Sequence, residues 1–242
     1  MKKELYIMPV IIGLSLILST LIASFTYNNA KTGDTISVTG SAKKSVVADT
    51  VKWNTGIMRT VRLDDLKNGY SVMARDLSSV QEFLTKKGVS ASDISISPVV
   101  MEENWSGDNK YVSPGDKLYN LRQPITIQSK EVDKISDVAK SVSELAGKGV
   151  VLSTFGSIEY YYSKVPELRV SLLSDAVKDA KARAEKILEP SGGKVGKMKT
   201  ASSGVVQVLP KNSLEISDYG TYDTMSKEKE VMVTVRATFT IK

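Results

Sequence analysis

The chain has 242 residues, 33 of them Lys or Arg and 27 Asp or Glu, for a formal charge of +6, with 41% hydrophobic residues and neither cysteine nor histidine. The two absences exclude disulfides, thiolate nucleophiles, zinc–thiolate and iron–sulfur sites, imidazole bases and histidine-held metals, and with them most hydrolase and metalloenzyme chemistry. Length and apolar share suffice for a real core, and the mixed charge is not that of a disordered chain.

No charged residue occurs between Leu5 and Ala30, and residues 5–25 make about 31 Å of helix against a hydrocarbon core of about 30 Å. Residues 1–30 are therefore expected to form an N-terminal transmembrane helix that serves as an anchor, or a signal segment that is cleaved. Lys2 and Lys3 put the N-terminus inside and residues 31–242 outside the cytoplasm in a single pass. Cleavage would give a secreted or periplasmic form; against it, Leu21-Ile22-Ala23 and Ile22-Ala23-Ser24 carry a bulky residue where a small one is wanted. The chain has no dense Lys/Arg tract, so nucleic acid is not an expected partner.

Ile36 to Thr39 alternates on one parity and Val51, Trp53, Thr55 and Ile57 on the other, which predicts two strands with a turn or bulge in Gly40 to Asp49. Leu63, Leu66, Tyr70, Met73, Leu77, Val80 and Leu84 recur at helical spacing, with Asp64 as N-cap and Gly88 past the end. Ile94 to Ile96 and Leu121 to Gln128 read as strands around a polar segment, and residues 131–146 as a helix closed by Gly147 or Gly149. The order then repeats: a strand within Val150 to Tyr162, a helix from Pro166 to Leu188, a strand within Val195 to Val208, a polar loop and a final strand from Val231 to Ile241. The expected fold class is α+β with largely antiparallel sheet, in pseudo-halves of about 34–130 and 149–242 joined by the helix at 131–146. Ala176, Ala180 and Ala184 form a stripe where a backbone can approach closely, on the helix's own sheet or on another subunit.

These residues resemble the SIMPL-domain family of bacterial exported and envelope proteins, which includes a periplasmic or outer-membrane immunogenic antigen. The Ile36-Ser37-Val38-Thr39-Gly40-Ser41 strand, followed by Ala48-Asp49, looks like the family's V-x-G-x-G … P-D opening, with Ser41-Ala42 and Ala48 in place of the usual Gly and Pro. Tyr119 to Ile127 resembles its Y-x-A-x-x-x-I-x-V strand. Asp175 to Glu185 is similar to its A-x-x-x-A-x-x-x-A-E helix, and Gly193 and Gly196 to the glycines after it. The resemblance covers residues 34–242. It implies two βαβ-type halves, assembly into homo-oligomers and an association with envelope or oxidative stress, and it carries no catalytic residues.

Motifs of chemistry fail on context. Ser41-Ala42-Lys43-Lys44 has S-x-x-K spacing, but Lys31-Thr32-Gly33 precedes it and no S-D-N is present. Gly192 to Lys197 is one residue short of a phosphate loop and leads from a helix into a strand. Glu102-Glu103 with Asp108, and Asp218 with Asp223, lack the spacing of a calcium loop. No cofactor, metal or catalytic residue is expected. Partner or ligand contacts are expected from the aromatic residues of two long loops, Trp105, Tyr111 and Tyr119 in the first and Tyr219 and Tyr222 in the second. Tyr160-Tyr161-Tyr162 puts the middle ring on the opposite strand face from its neighbours. The function expected is a non-enzymatic, membrane-anchored, self-associating protein; the alternative is a small-molecule or peptide-binding module using those aromatic loops.

Overall fold

The computed structural model describes residues 4–31, 34–104, 113, 116–153, 158–213, 217 and 219–242. The chain forms two compact units: Met1–Ala42, Ser171–Val205 and Val233–Lys242 make unit 1, and Lys43–Val170 with Val206–Met232 make unit 2. Each of the pseudo-halves 34–130 and 149–242 contributes to both units.

Helix α1, Glu4–Lys31, is 28 residues long. Its apolar side chains are exposed all round, from Ile11 and Ile12 through Leu16, Ile17 and Leu18 to Leu21 and Phe25, at 57–69%. Among the described residues no helix is long and apolar enough to cross a membrane. The side chains of α1 are described without a break only from Ile11 to Tyr27, about 26 Å of helix, and the expected span at 5–25 begins before that stretch.

Strand β1, Thr35–Val47, runs further than its sequence implies. The expected turn at Gly40 to Asp49 shrinks to Ala48 and Asp49, because β1 pairs with the last strand and backbone pairing does not depend on side chains. Strand β2 is Thr50–Arg62, and after a 3-10 turn at Leu63–Asp65 helix α2 covers Leu66–Lys86. Asp64 lies in that turn and is not the cap; Leu63 and Tyr70 are exposed, and Gly69, Met73, Asp76, Val80, Phe83 and Leu84 form the buried face. Gly88, at φ +76°, closes α2: its N–H donates to Thr85 and the Val89 N–H to Leu84, the 5→2 and 6→1 bonds of a Schellman cap.

Strands β3, Ile94–Ile96, β4, Val100–Glu103, and β5, Leu118–Ser129, follow. The expected single helix at 131–146 is two, α3, Val132–Lys140, and α4, Ser143–Ala146, separated at Ser141, whose N–H is shared between the Asp137 and Val138 carbonyls. Gly147 is the C-cap of α4, and Gly149, at φ +79°, ends the turn after it with its N–H donating to Ala146. The remaining elements are β6, Ile158–Tyr161, α5, Val165–Leu188, β7, Val195–Ser203, β8, Gln207–Pro210, and β9, Glu228–Ile241.

One sheet has the order β3-β5-β2-β6, with β4 also on β5; the other has the order β1-β9-β7, with β8 also on β9. The recorded strand pairings among these elements are antiparallel, as expected for this α+β fold. In unit 2, Val51, Trp53, Ile57, Leu121, Ile125 and Ile127 meet Met73, Val80, Phe83 and Leu84 of α2 and Ile135, Val138 and Leu145 of α3 and α4. In unit 1, Val38, Val235, Ala237 and Phe239 meet Ala176, Ala180 and Ala184 of α5, all three alanines at 0% exposure. A Cβ on Gly40 would lie 2.2 Å from the Ala176 carbonyl oxygen and 2.3 Å from the Ala180 nitrogen. The alanine stripe and Gly40 thus bring two backbones into contact, and the Ser41 N–H donates to Asp179 Oδ2 at 2.8 Å beside them.

Candidate functional site

Odd-numbered residues of β2 and β5 enter the unit 2 core, so even-numbered ones face the opposite side of the sheet. There Gly56 pairs with Pro124, a residue without a side chain against one without an N–H. On the other flank of β5, β4 pairs only as far as Arg122 and β3 begins at Ile125, so Pro124 sits where no edge strand demands a donor. The result is a depression of about 390 Å³, floored by Gly56 and Pro124 and walled by Val100, Glu102, Arg122 and Thr126. Arg122 lies 3.8 Å from Glu102, and Thr126 donates to Asn54. No local pattern marks this cavity, because the Gly56–Pro124 juxtaposition that makes it depends on a register between distant strands.

None of Tyr119, Tyr219 and Tyr222 lines it. Tyr119 pairs with Val61 and Glu103 and is partly buried against the core. Tyr219 is 96% exposed. Tyr222 bridges to Val208 and sets its ring 6.0 Å from that of Tyr161, tilted 36°. Tyr160 is on the opposite face, packed against the core and hydrogen-bonded to Ser136, as the alternation requires. Trp105 and Tyr111 lie outside the described residues, as do Asp108 and Asp218.

The segment carrying Tyr222 is a strap within unit 2. Val208 donates to Thr221 at 2.7 Å and accepts from Asp223 at 2.8 Å, while Tyr160 donates to Thr224 at 2.7 Å, so residues 221–224 stitch β8 to β6. Beneath them is Lys229, fully buried, whose Nζ donates to the Asp223 carbonyl at 2.5 Å and to Asp223 Oδ2 at 3.2 Å. Burial pulls the Lys229 ammonium below the usual lysine range, against the pull of Asp223. Burial also works to raise the Asp223 carboxyl, but hydrogen bonds from Met225 N, Lys229 and Ser226 N outweigh it and hold the group below the usual carboxylate range. A lysine in a strand among polar neighbours gives no sequence signal of burial.

Two further charge clusters are structural. Arg59 grips buried Asp76 through Nε at 2.6 Å and an Nη at 3.0 Å and also reaches the Gly149 carbonyl, which raises its pKa through the hydrogen bond to Asp76. At the Ala48–Asp49 turn, Asp49 accepts from Ser163 N at 2.9 Å and Ser163 Oγ at 2.8 Å; these bonds overcome the opposing effect of burial and lower its pKa. Of the other sequence candidates, Ser41 is engaged by Asp179 and Arg183, Lys43 by Glu230 and Glu103 by Lys117, and Gly192 is a left-handed turn residue after α5. No group of three acidic, histidine or cysteine side chains that could hold a metal occurs among the described residues.

No curated protein matches the chain. The profile of the family described as SIMPL, protein of unknown function (DUF541), matches residues 36–239, from the second residue of β1 almost to the end of β9 and through both units. The chain belongs to the SIMPL family.

Proposed function

We propose that this SIMPL protein is non-enzymatic, is held in a membrane by α1 with its folded units outside the cytoplasm, and associates with further copies of itself. The observation that carries the reading is α1. Its Ile and Leu residues from Ile11 to Ile22 are exposed on every face, a pattern that suits an apolar solvent. Ser15, Ser19, Thr20 and Thr26 donate to helix carbonyls three or four residues back, the internal satisfaction that hydrocarbon demands. Copies confined by such helices meet at raised effective concentration, so weak contacts between folded units suffice for assembly. The engagement of Arg59, Asp76, Asp223 and Lys229 in the fold supports a role without chemistry, and the lack of thiol and imidazole suits an oxidising or metal-variable envelope.

Flotation of the full chain with lipid vesicles after alkaline extraction tests the anchor. The parent floats, whereas Leu16→Lys with Ile17→Lys, each at roughly 3 kcal/mol in the helix centre, moves it to the soluble fraction; a parent chain that extracts without detergent sinks the proposal. The mass of the membrane-extracted chain distinguishes the anchored form from one cleaved after a signal segment. Light scattering in detergent tests assembly, and a strict monomer at high concentration refutes that part.

The depression at Gly56 and Pro124 supports a second reading, a small-molecule or peptide-binding module. In a thermal-shift screen a ligand seated there loses its effect in Val100→Trp, whereas one bound by the aromatic loops loses it in Trp105→Ala or Tyr222→Ala.

A further inference from the structure

We propose that unit 1 carries, at the end where β1 begins, a basic surface that binds anionic lipid headgroups of the membrane holding α1; the proposal rests on the anchoring reading above. The first observation is positional. The Ile241 N–H donates to the Asp34 carbonyl at 2.8 Å, and Lys194 and Lys242 exchange backbone hydrogen bonds of 3.0 and 2.8 Å. The start of β1, the end of β9 and the start of β7 therefore share one row at one end of the sheet. Asp34 follows Lys31, the last residue of α1, by three residues, so the chain allows at most about 11 Å between them. The Debye length at physiological salt is about 8 Å, so the start of the row lies within about one and a half Debye lengths of the end of α1.

The second observation is where the charge of unit 1 is left over. On its stretch of α5 every acidic side chain is paired with a basic one of the same helix region: Asp175 with Lys178, Asp179 with Arg183, Glu185 with Lys181 and Glu189 with Lys186. Lys194, just before β7, and Lys197 and Lys199 at its start are exposed and make no ion pair recorded among the described residues; Arg236, opposite Ser202, is likewise exposed but lies further along the sheet. Asp34 is the acidic residue of that row among the described residues, and Glu185 and Glu189 line a depression with Lys194. Met198, 48% exposed, lies between Lys197 and Lys199 in the chain and pairs with Phe239 of β9. Strand β7 pairs with β9 on one side, and Lys197 and Lys199 on it, like Lys194 just before it, are exposed.

The chain has no cysteine, so Thr200→Cys, at an exposed position beside Lys199, gives a single labelling site. The labelled full chain is reconstituted in vesicles of phosphatidylcholine, or of equal parts phosphatidylcholine and phosphatidylglycerol, each with a spin-labelled headgroup that quenches the fluorophore. Quenching is expected to be stronger on the phosphatidylglycerol vesicles and to fall to the phosphatidylcholine level in Lys194→Gln/Lys197→Gln/Lys199→Gln. Three lysines correspond to roughly a hundredfold in the equilibrium between docked and undocked unit 1. The Lys→Arg triple variant retains the effect, which separates charge from damage to β7, and about 1 M salt abolishes it. A chain that floats with both vesicles but quenches equally on each overturns the headgroup surface and leaves the anchor standing. A chain that floats with neither overturns both.

Discussion

Replacing Gly40 by Ala adds one carbon to β1 where α5 leaves no room for it. The new Cβ would stand 2.2 Å from the Ala176 carbonyl oxygen, 2.3 Å from the Ala180 nitrogen and 2.8 Å from the Ala180 Cα, whereas real Cβ contacts are essentially never below 3.0 Å. All three obstacles are backbone, so no rotamer change relieves them, and β1 and α5 must part by about 0.8 Å at the closest point. That separation loosens the contacts of Ala176, Ala180 and Ala184 on Val38, Val235 and Ala237 and stretches the bond from Ser41 N to Asp179. Overpacking a well-fitted core typically destabilises by 1–3 kcal/mol, and a clash confined to backbone puts Gly40→Ala near the upper end, about 3 kcal/mol. For a folded region of this size the melting temperature falls by roughly 6–12 °C. The assay is urea and thermal unfolding of the full chain followed by circular dichroism, with Gly147→Ala as control, because its Cβ would meet nothing closer than 3.4 Å. A Gly40→Ala protein within about 0.5 kcal/mol of the parent would refute the close approach of β1 and α5.

Lys229→Met removes the cation beneath the strap and leaves the Asp223 carboxylate buried without it; unfolding free energy is expected to drop by about 3 kcal/mol in urea melts, with part regained by adding Asp223→Asn. Asp76→Asn leaves the half-buried Arg59 guanidinium without its carboxylate and is expected to lower stability by roughly 2–3 kcal/mol in the same assay. Asp49, Asp179 and Asp223 all have folded pKa values below the ordinary 3.8. The unfolded chain therefore binds more protons in the window below 3.8, so their contributions are full above it and are lost as the pH falls through the folded values. Asp179, lowered first by the Ser41 N–H and then by Arg183 against the effect of burial, is expected to make Asp179→Asn less stable at neutral pH and flatter in acid; an acid limb identical to the parent's would rule out that hydrogen bond.

Much of the secondary structure was legible because burial and periodicity coincide. Val231, Val233, Val235, Ala237 and Phe239 are buried on alternate positions of β9, and Met73, Val80 and Leu84 face inward from α2. The misreadings occur where a partner, rather than composition, decides the structure. Gly40 to Ser45 reads as a polar turn because its side chains are small or charged, yet pairing with β9 makes it strand. Asp76 breaks the apolar face of α2 and is buried only because Arg59 arrives from β2. Of the candidate aromatic contacts, Tyr222 gains its ring partner from a strand some sixty positions earlier, a relation that no local pattern encodes.

Strand β9 lies between β1 and β7 in its sheet, although it is the last of the three along the chain. Until its residues arrive, β1 and β7 have no ladder to join and α5 has no complete surface to cover. The sheet of unit 2 that contains β2, β3 and β5, by contrast, draws these strands from residues 50–129. Sequence separation of this kind slows pairing, so the order of events during synthesis follows from the topology: the helix-covered sheet of unit 2 matures first. The sheet that holds β1 and β7 is completed only once β9 has been made, because β9 is the neighbour of both.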